Sequence, residues 1–279
     1  MRTRCAVLVA GVLVAVIPQW AQPAAKARAE SRTWTTPRTA DGDPDLEGTW
    51  RHSAIAPLEL PAPSVGKPYL NTEQTGDRRD GGPEADVARS WNEFGRDHGT
   101  KVIESRRSLI VDPPEGKVPG STPTAEKRIA DAREQTRLHS TDGREYRSLW
   151  KRCLTRGLPM LPRPYNNDFQ IVQTPGYVVI LYEMIHNARV IPPGWAPTRS
   201  ARIRQWMGDG RGHWEGDSLV VDTSNFSETN FSEKDNFRGS AQNLDLTERF
   251  TRVAPDEISY EFMVDDRTTF TGLGRRRFP

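Results

Sequence analysis

Beyond Asn167 the apolar positions recur with the period of β-strands. "NDFQIVQTPGYVVILYEMIH" holds two apolar runs around Thr174-Pro175-Gly176. Pro followed by Gly suits the two central positions of a type II turn, so the stretch predicts a hairpin. Tyr177, Val179, Leu181 and Ile185 share one face of its second strand; Val178, Ile180, Tyr182 and Met184 share the other. Apolar side chains on both faces predict a central strand covered on both sides. "GRGHWEGDSLVVDTSNF" reads as strand, turn and strand, with the turn at Glu215-Gly216-Asp217. "LDLTERFTRV" alternates, with Leu244, Leu246, Glu248 and Phe250 on one face, and "ISYEFMV" follows the "APDE" turn with Ile258, Tyr260, Phe262 and Val264 aligned.

The first half reads differently. Pro, Gly and Asp recur every few residues between 30 and 100, which prevents long elements. Leu46 and Trp50 in "DPDLEGTW" can anchor a first strand, and "SLIVDPP" reads as a short strand stopped by its Pro pair. "STPTAEKRIADAREQTRL" predicts the one clear helix, near 123–138, with Thr122 as cap and Pro123 at the first helical position. Its few apolar residues predict a solvated helix. Together these elements predict a mainly β protein. An antiparallel meander over 151–279 would form a barrel-like or half-barrel, lipocalin-like domain, wrapped by an irregular segment over 30–150.

Composition adds the compartment. Met1-Arg2-Thr3-Arg4 is basic, Cys5–Ile17 is an uncharged run too short to span a bilayer, and small residues follow. That pattern predicts a signal peptide over 1–29, cleaved between Ala21 and Glu30, and a periplasmic or secreted protein. The chain has 39 basic and 37 acidic residues. Arg2, Arg4, Lys26 and Arg28 leave with the leader, so 35 basic residues face 37 acidic ones. No net field remains to attract nucleic acid, and no membrane insertion is expected after cleavage. Cys153 alone survives cleavage, which excludes an intrachain disulfide and suits a buried inert thiol.

The segments "RCLTRGLPMLPRPYNNDFQIVQTPGYVVILYEMIHNARVIP" and "IRQWMGDGRGHWEGDSLVVDTSNF" carry a resemblance. The sequence resembles a widespread family of exported bacterial proteins of unknown function, from about Leu109 to Phe270. The resemblance implies an exported β-rich domain and no particular activity or cofactor. Two stretches depart from it. "PPGWAPTRSAR" replaces a direct passage into a Gly-Arg-Pro turn, and "GLGRRRFP" stands where relatives continue into a Trp-containing strand and a Cys-His-Glu tail. The second departure looks like a truncation and predicts that the strand Ile258–Val264 is left as an edge.

Candidate chemistry is sparse. Glu215 and Asp217 flank a Gly, as a turn requires, and could also form an acid/base pair. Glu183 and His186 would share a helix face but oppose each other on a strand, and the remaining histidines lack metal spacing, so no metal is expected. His186 is either a core histidine or a ligand contact beside Tyr182. Asn166, Asn167 and Asp168 can orient a ligand or close their own turn. Glu248 points inward with apolar residues and needs a partner, with Arg189, Arg204 and Arg211 as candidates. Trp214 would pack beneath the turn or line a pocket. No phosphate loop, nucleophile elbow or dinucleotide fingerprint is present, and no cofactor is expected. The favoured expectation is binding of a small apolar or amphipathic molecule in a barrel mouth, through Asn166, Asn167, Asp168, Tyr182, His186, Arg189, Trp214 and Glu248. The alternatives are a hydrolase or lyase pairing His186 with Glu248 or Asp217, and a non-catalytic module of the cell envelope.

Overall fold

The computed structural model describes residues 34–52, 108–139, 141–161, 166–196, 199–200, 202–227, 242–272 and 274–278. The predicted signal peptide and about half of the irregular 30–150 segment lie outside them. The strands are β1 (Gly48–Arg51), β2 (Ile110–Asp112), β3 (Asp168–Thr174), β4 (Tyr177–Tyr182), β5 (Ala188–Ile191), β6 (Asp209–Glu215), β7 (Ser218–Ser224), β8 (Asp245–Ala254), β9 (Glu257–Asp265) and β10 (Gly274–Phe278). They form a four-stranded sheet, β1-β3-β4-β5, and a six-stranded sheet, β2-β10-β9-β8-β7-β6. All the strand pairings are antiparallel.

The predicted barrel is not formed. Each sheet is open, and among the described strands the first and last of each do not pair. One core fills the space between the sheets, with Phe169, Ile171 and Ile180 from one and Leu219, Phe250 and Phe262 from the other. Closure needs staggered strands running continuously round one sheet. Here the meander breaks after β5, and the chain starts a second sheet at β6. Residues 30–150 are also more than a wrapping, because β1 and β2 supply an outer strand to each sheet.

The local chemistry acts as its residue types require. Gly176 in the β3–β4 turn has φ +82°, and Gly216 in the β6–β7 turn has φ +61°. Both are left-handed values that a Cβ disfavours. Thr122 caps the helix α1 (Pro123–Leu138) by accepting a hydrogen bond from the Ala125 amide at 3.2 Å. Only Ala125 and Ile129 of that helix are buried.

Two further expectations are corrected. The apolar run of β4 ends at Tyr182, and Met184–His186 forms a tight turn with Ile185 at φ 67° and His186 at φ 53°. In β4 only Val178 and Ile180 are buried, while Tyr177 and Leu181 are exposed, so the strand is central but covered on one side. β9 is not an edge either. Gly274–Phe278 pairs with it from Gly274↔Val264 to Phe278↔Tyr260, and β10 pairs in turn with β2. Cys153 is exposed rather than buried.

Candidate functional site

A cleft opens where β1 and β4 end and β3 begins, walled by the segment 155–161 and by the turn after β4. His52 follows β1 directly. Its backbone amide donates to the Asn167 carbonyl at 2.9 Å, which ties the end of β1 to the entry of β3. Asn166 takes φ 55°, a left-handed value that Asn tolerates, and turns the chain into that strand. Asp168 is held by Arg51, with Nε donating to Oδ1 at 2.7 Å. Thr155, Arg156, Met160 and Leu161, with Met184, Asn187 and Met207, complete the lining. The cleft has a volume of about 60 Å³, room for a few waters or one compact group.

A buried polar network lies behind the cleft. Arg189 on β5 donates from Nη1 to Glu248 Oε2 on β8 at 2.5 Å, and from Nη2 to Thr223 Oγ1 on β7 at 2.6 Å. The Tyr260 hydroxyl donates to Glu248 Oε1 at 2.7 Å and accepts from the Met160 amide at 3.1 Å. Glu248 is fully buried and Arg189 nearly so. Burial is the largest single influence on Arg189 and lowers its pKa; the charge and hydrogen bond of Glu248, with Tyr182 and Tyr260 adding to them, together outweigh it, and the guanidinium is held above its ordinary value. Burial, with the Glu248 carboxylate adding to it, pushes the Tyr260 hydroxyl well above its usual value. Burial likewise raises Tyr182. His52 stands edge-on to Tyr260, ring centres 5.6 Å apart, and burial drives its pKa down from 6.5 to about 3.

The eight residues singled out from the sequence therefore divide. Asn166, Asn167, Asp168 and Tyr182 line the cleft. Arg189 and Glu248 stand behind it and touch each other, as the need for an inward partner predicted. The other named candidates bond elsewhere: Arg204 donates to the Phe226 carbonyl, and Arg211 pairs with Asp209 at 2.6 Å. His186 and Trp214 take no part. His186 is exposed, and Trp214 packs against the core from β6. Sequence reasoning missed His52, Thr155, Asn187 and the methionines. These come from separate segments and carry no shared spacing, so no local signal marked them.

The expected acid/base pairs are not assembled. Glu215 bonds Arg249 at 2.5 Å and His213 at 3.1 Å on the outer face of the six-stranded sheet. Asp217 is paired with Arg38. Glu248 is locked to Arg189 and Tyr260, away from the exposed His186. The barrel-mouth site for an apolar or amphipathic molecule is overturned as well, since the sheets enclose no barrel and the cleft is small. Among the described residues no three His, Cys, Asp or Glu side chains converge, and no helix is long and apolar enough to cross a membrane. No protein-family model matches the chain, and no curated protein or solved structure is significantly similar to it.

Proposed function

We propose that this is an exported binding protein that captures one compact ligand in the open cleft at the end of the four-stranded sheet. The observation that carries the reading is convergence. Side chains from five separate stretches, around His52, Thr155–Leu161, Asn166–Phe169, Tyr182–Asn187 and Met207, meet at a single concave site. Hydrogen bonds fix several of them. Asn187 Nδ2 donates to Thr155 Oγ1 at 2.7 Å, and Met160 and Asn167 are held through their backbones. A wall held in this way needs little ordering when a ligand arrives, which favours affinity.

Binding is favoured over turnover by the state of the titratable groups. A general base works best with a pKa near the operating pH. His52 lies far below that range, and the Glu248 carboxylate is engaged on both oxygens. The export half of the proposal rests on the basic, apolar and small-residue pattern of residues 1–29.

Native mass spectrometry of protein recovered from the periplasm tests the reading. A mass adduct present under native conditions and absent after denaturation is expected. Leu161→Trp, which fills the cleft from a half-buried position, should remove the adduct while the protein stays folded. Wild-type protein with no adduct, or an adduct that survives Leu161→Trp, would reject the proposal.

A further inference from the structure

The chain has five methionines, and three of them, Met160, Met184 and Met207, line this one cleft beside His52. They come from the 155–161 segment, the turn after β4 and the loop before β6. Methionine is a common filler of irregular core gaps. Met160 fits that description, being buried in the core, and Met207 packs against it; Met184 and Met207 are nevertheless only half-buried, in an open wall. The Met207 thioether is also oriented by hydrogen bonds. Thr155 Oγ1 donates to its sulfur at 2.9 Å, while accepting from Asn187 Nδ2 at 2.7 Å and from the Gly157 amide at 2.9 Å. The hydroxyl thereby fixes the Met207 sulfur at the wall of the cleft.

We propose that the ligand of the cleft is a soft monovalent metal ion, the cuprous ion, bound by the thioethers of Met160, Met184 and Met207 and by the His52 imidazole. This rests on the reading of the cleft as a binding site and names its ligand. Ligand chemistry selects the ion. Thioethers are soft donors that favour Cu(I), whereas Mg²⁺ and Ca²⁺ take oxygen ligands. Zinc sites are built from thiolate, imidazole and carboxylate. Asp168, the carboxylate in the cleft wall, is engaged by Arg51. The small volume fits an ion with a water or two better than an organic molecule.

Thiols bind Cu(I) strongly and Cys153 is exposed, so the test begins by alkylating the full chain with iodoacetamide. The protein is then titrated anaerobically with Cu(I) in ascorbate, with bicinchoninate as coloured competitor. One equivalent should be withdrawn from the bicinchoninate complex. Met184→Leu and Met207→Leu conserve volume and should leave folding intact. Each should weaken Cu(I) binding by about tenfold or more. Met263→Leu, on the outer face of β9, should bind as wild type does. Failure to withdraw Cu(I), or Leu variants that hold it as tightly as wild type, would overturn the metal assignment. If Cu(I) is not held but an organic adduct disappears in Leu161→Trp, the binding cleft stands and the metal falls. If neither is seen, both fall.

Discussion

The two sheets bury one core with different residue patterns. In the six-stranded sheet the faces are chemically distinct. Leu246, Glu248 and Phe250 of β8 and Ile258, Tyr260, Phe262 and Val264 of β9 are buried in strict alternation. Outside them lie His213, Glu215, Asp222, Thr247 and Arg249, joined by hydrogen bonds and ion pairs. In the four-stranded sheet both faces are apolar, yet one alone is covered. Val178, Ile180 and Ile191 are buried, while Tyr177 is 51% exposed, Leu181 39% and Val190 58%. Alternation thus identifies a buried face when polar residues mark the other side. An apolar run identifies a strand without saying how many of its faces are covered. The sheets also contribute differently to the site. The four-stranded sheet borders the cleft, and the six-stranded sheet supplies most of the network that backs it.

The largest expected effect breaks the link between them. Arg189 comes from the four-stranded sheet, and Glu248, Thr223 and Tyr260 come from the other. Arg189→Met would leave a fully buried carboxylate without its countercharge, at a cost of about 3–5 kcal/mol. Replacing both charges, Arg189→Met with Glu248→Leu, should restore much of that loss. Urea unfolding of the single and double variants measures both. A single variant within about 1 kcal/mol of wild type would show that the pair does not join the sheets in this way.

The second effect is confined to the cleft end of the four-stranded sheet. Burial holds His52 neutral down to about pH 3, while in the unfolded chain the ring takes a proton near 6.5. Between those values the unfolded state binds more protons, so this contribution to stability is complete above pH 6.5. It declines as pH falls toward 3, by at most about 1.4 kcal/mol per pH unit, or about 2 kcal/mol by pH 5. Subtracting the unfolding curve of His52→Gln from that of wild type isolates it. A difference that stays flat from pH 7 to 5 would mean that the ring is not enclosed.

These two effects also mark the limits of reading the chain. The hairpins, the cap of α1 and the need of Glu248 for a partner were legible, because each depends on residues within a few positions or on strand period. The break between the sheets was not. Ile185 and His186 adopt left-handed backbone where apolar continuity argued for more strand, a tertiary choice that overrides local preference. The cleft was half legible. Asn166, Asn167 and Asp168 formed a visible polar cluster. His52 reaches it through the pairing of β1 with β3, Trp50↔Phe169 and Arg51↔Asp168, which is distant in sequence and which no local pattern encodes. Likewise, "GRRRF", part of the stretch that the resemblance marked as a truncated end, becomes a strand because β9 and β2 offer it backbone partners on both sides.

A smaller effect tests the comparison of faces with one substitution type. Val221 is fully buried in the six-stranded sheet, and Val190 lies on the exposed face of the other. Val→Thr keeps the shape and replaces a methyl with a hydroxyl. At position 221 that hydroxyl would enter the apolar core, at about 1–3 kcal/mol. At position 190 the change should stay within about 0.5 kcal/mol. Thermal unfolding of the two variants is sufficient. Equal losses would mean that the outer face of the four-stranded sheet is covered in solution.

The smallest effects lie in the turn between β6 and β7, away from the cleft chemistry. Glu215 pairs with Ser218 across a two-residue turn, so Gly216 and Asp217 are its central residues. Gly216 has φ +61°, and a Cβ built on it would meet nothing within 4 Å. The cost of Gly216→Val is therefore backbone strain without a clash, about 1 kcal/mol or somewhat more for a β-branched residue. Asp217 makes an exposed ion pair with Arg38, and such pairs contribute from nothing to about 1 kcal/mol. Asp217→Asn keeps a hydrogen-bonding side chain in the turn, so its midpoint should barely move, and less in high salt. The same variant should bind Cu(I) and any native adduct as wild type does, because Asp217 does not line the cleft. Lost binding in a stably folded Asp217→Asn protein would relocate the functional site to this turn and remove the division of labour between the two sheets.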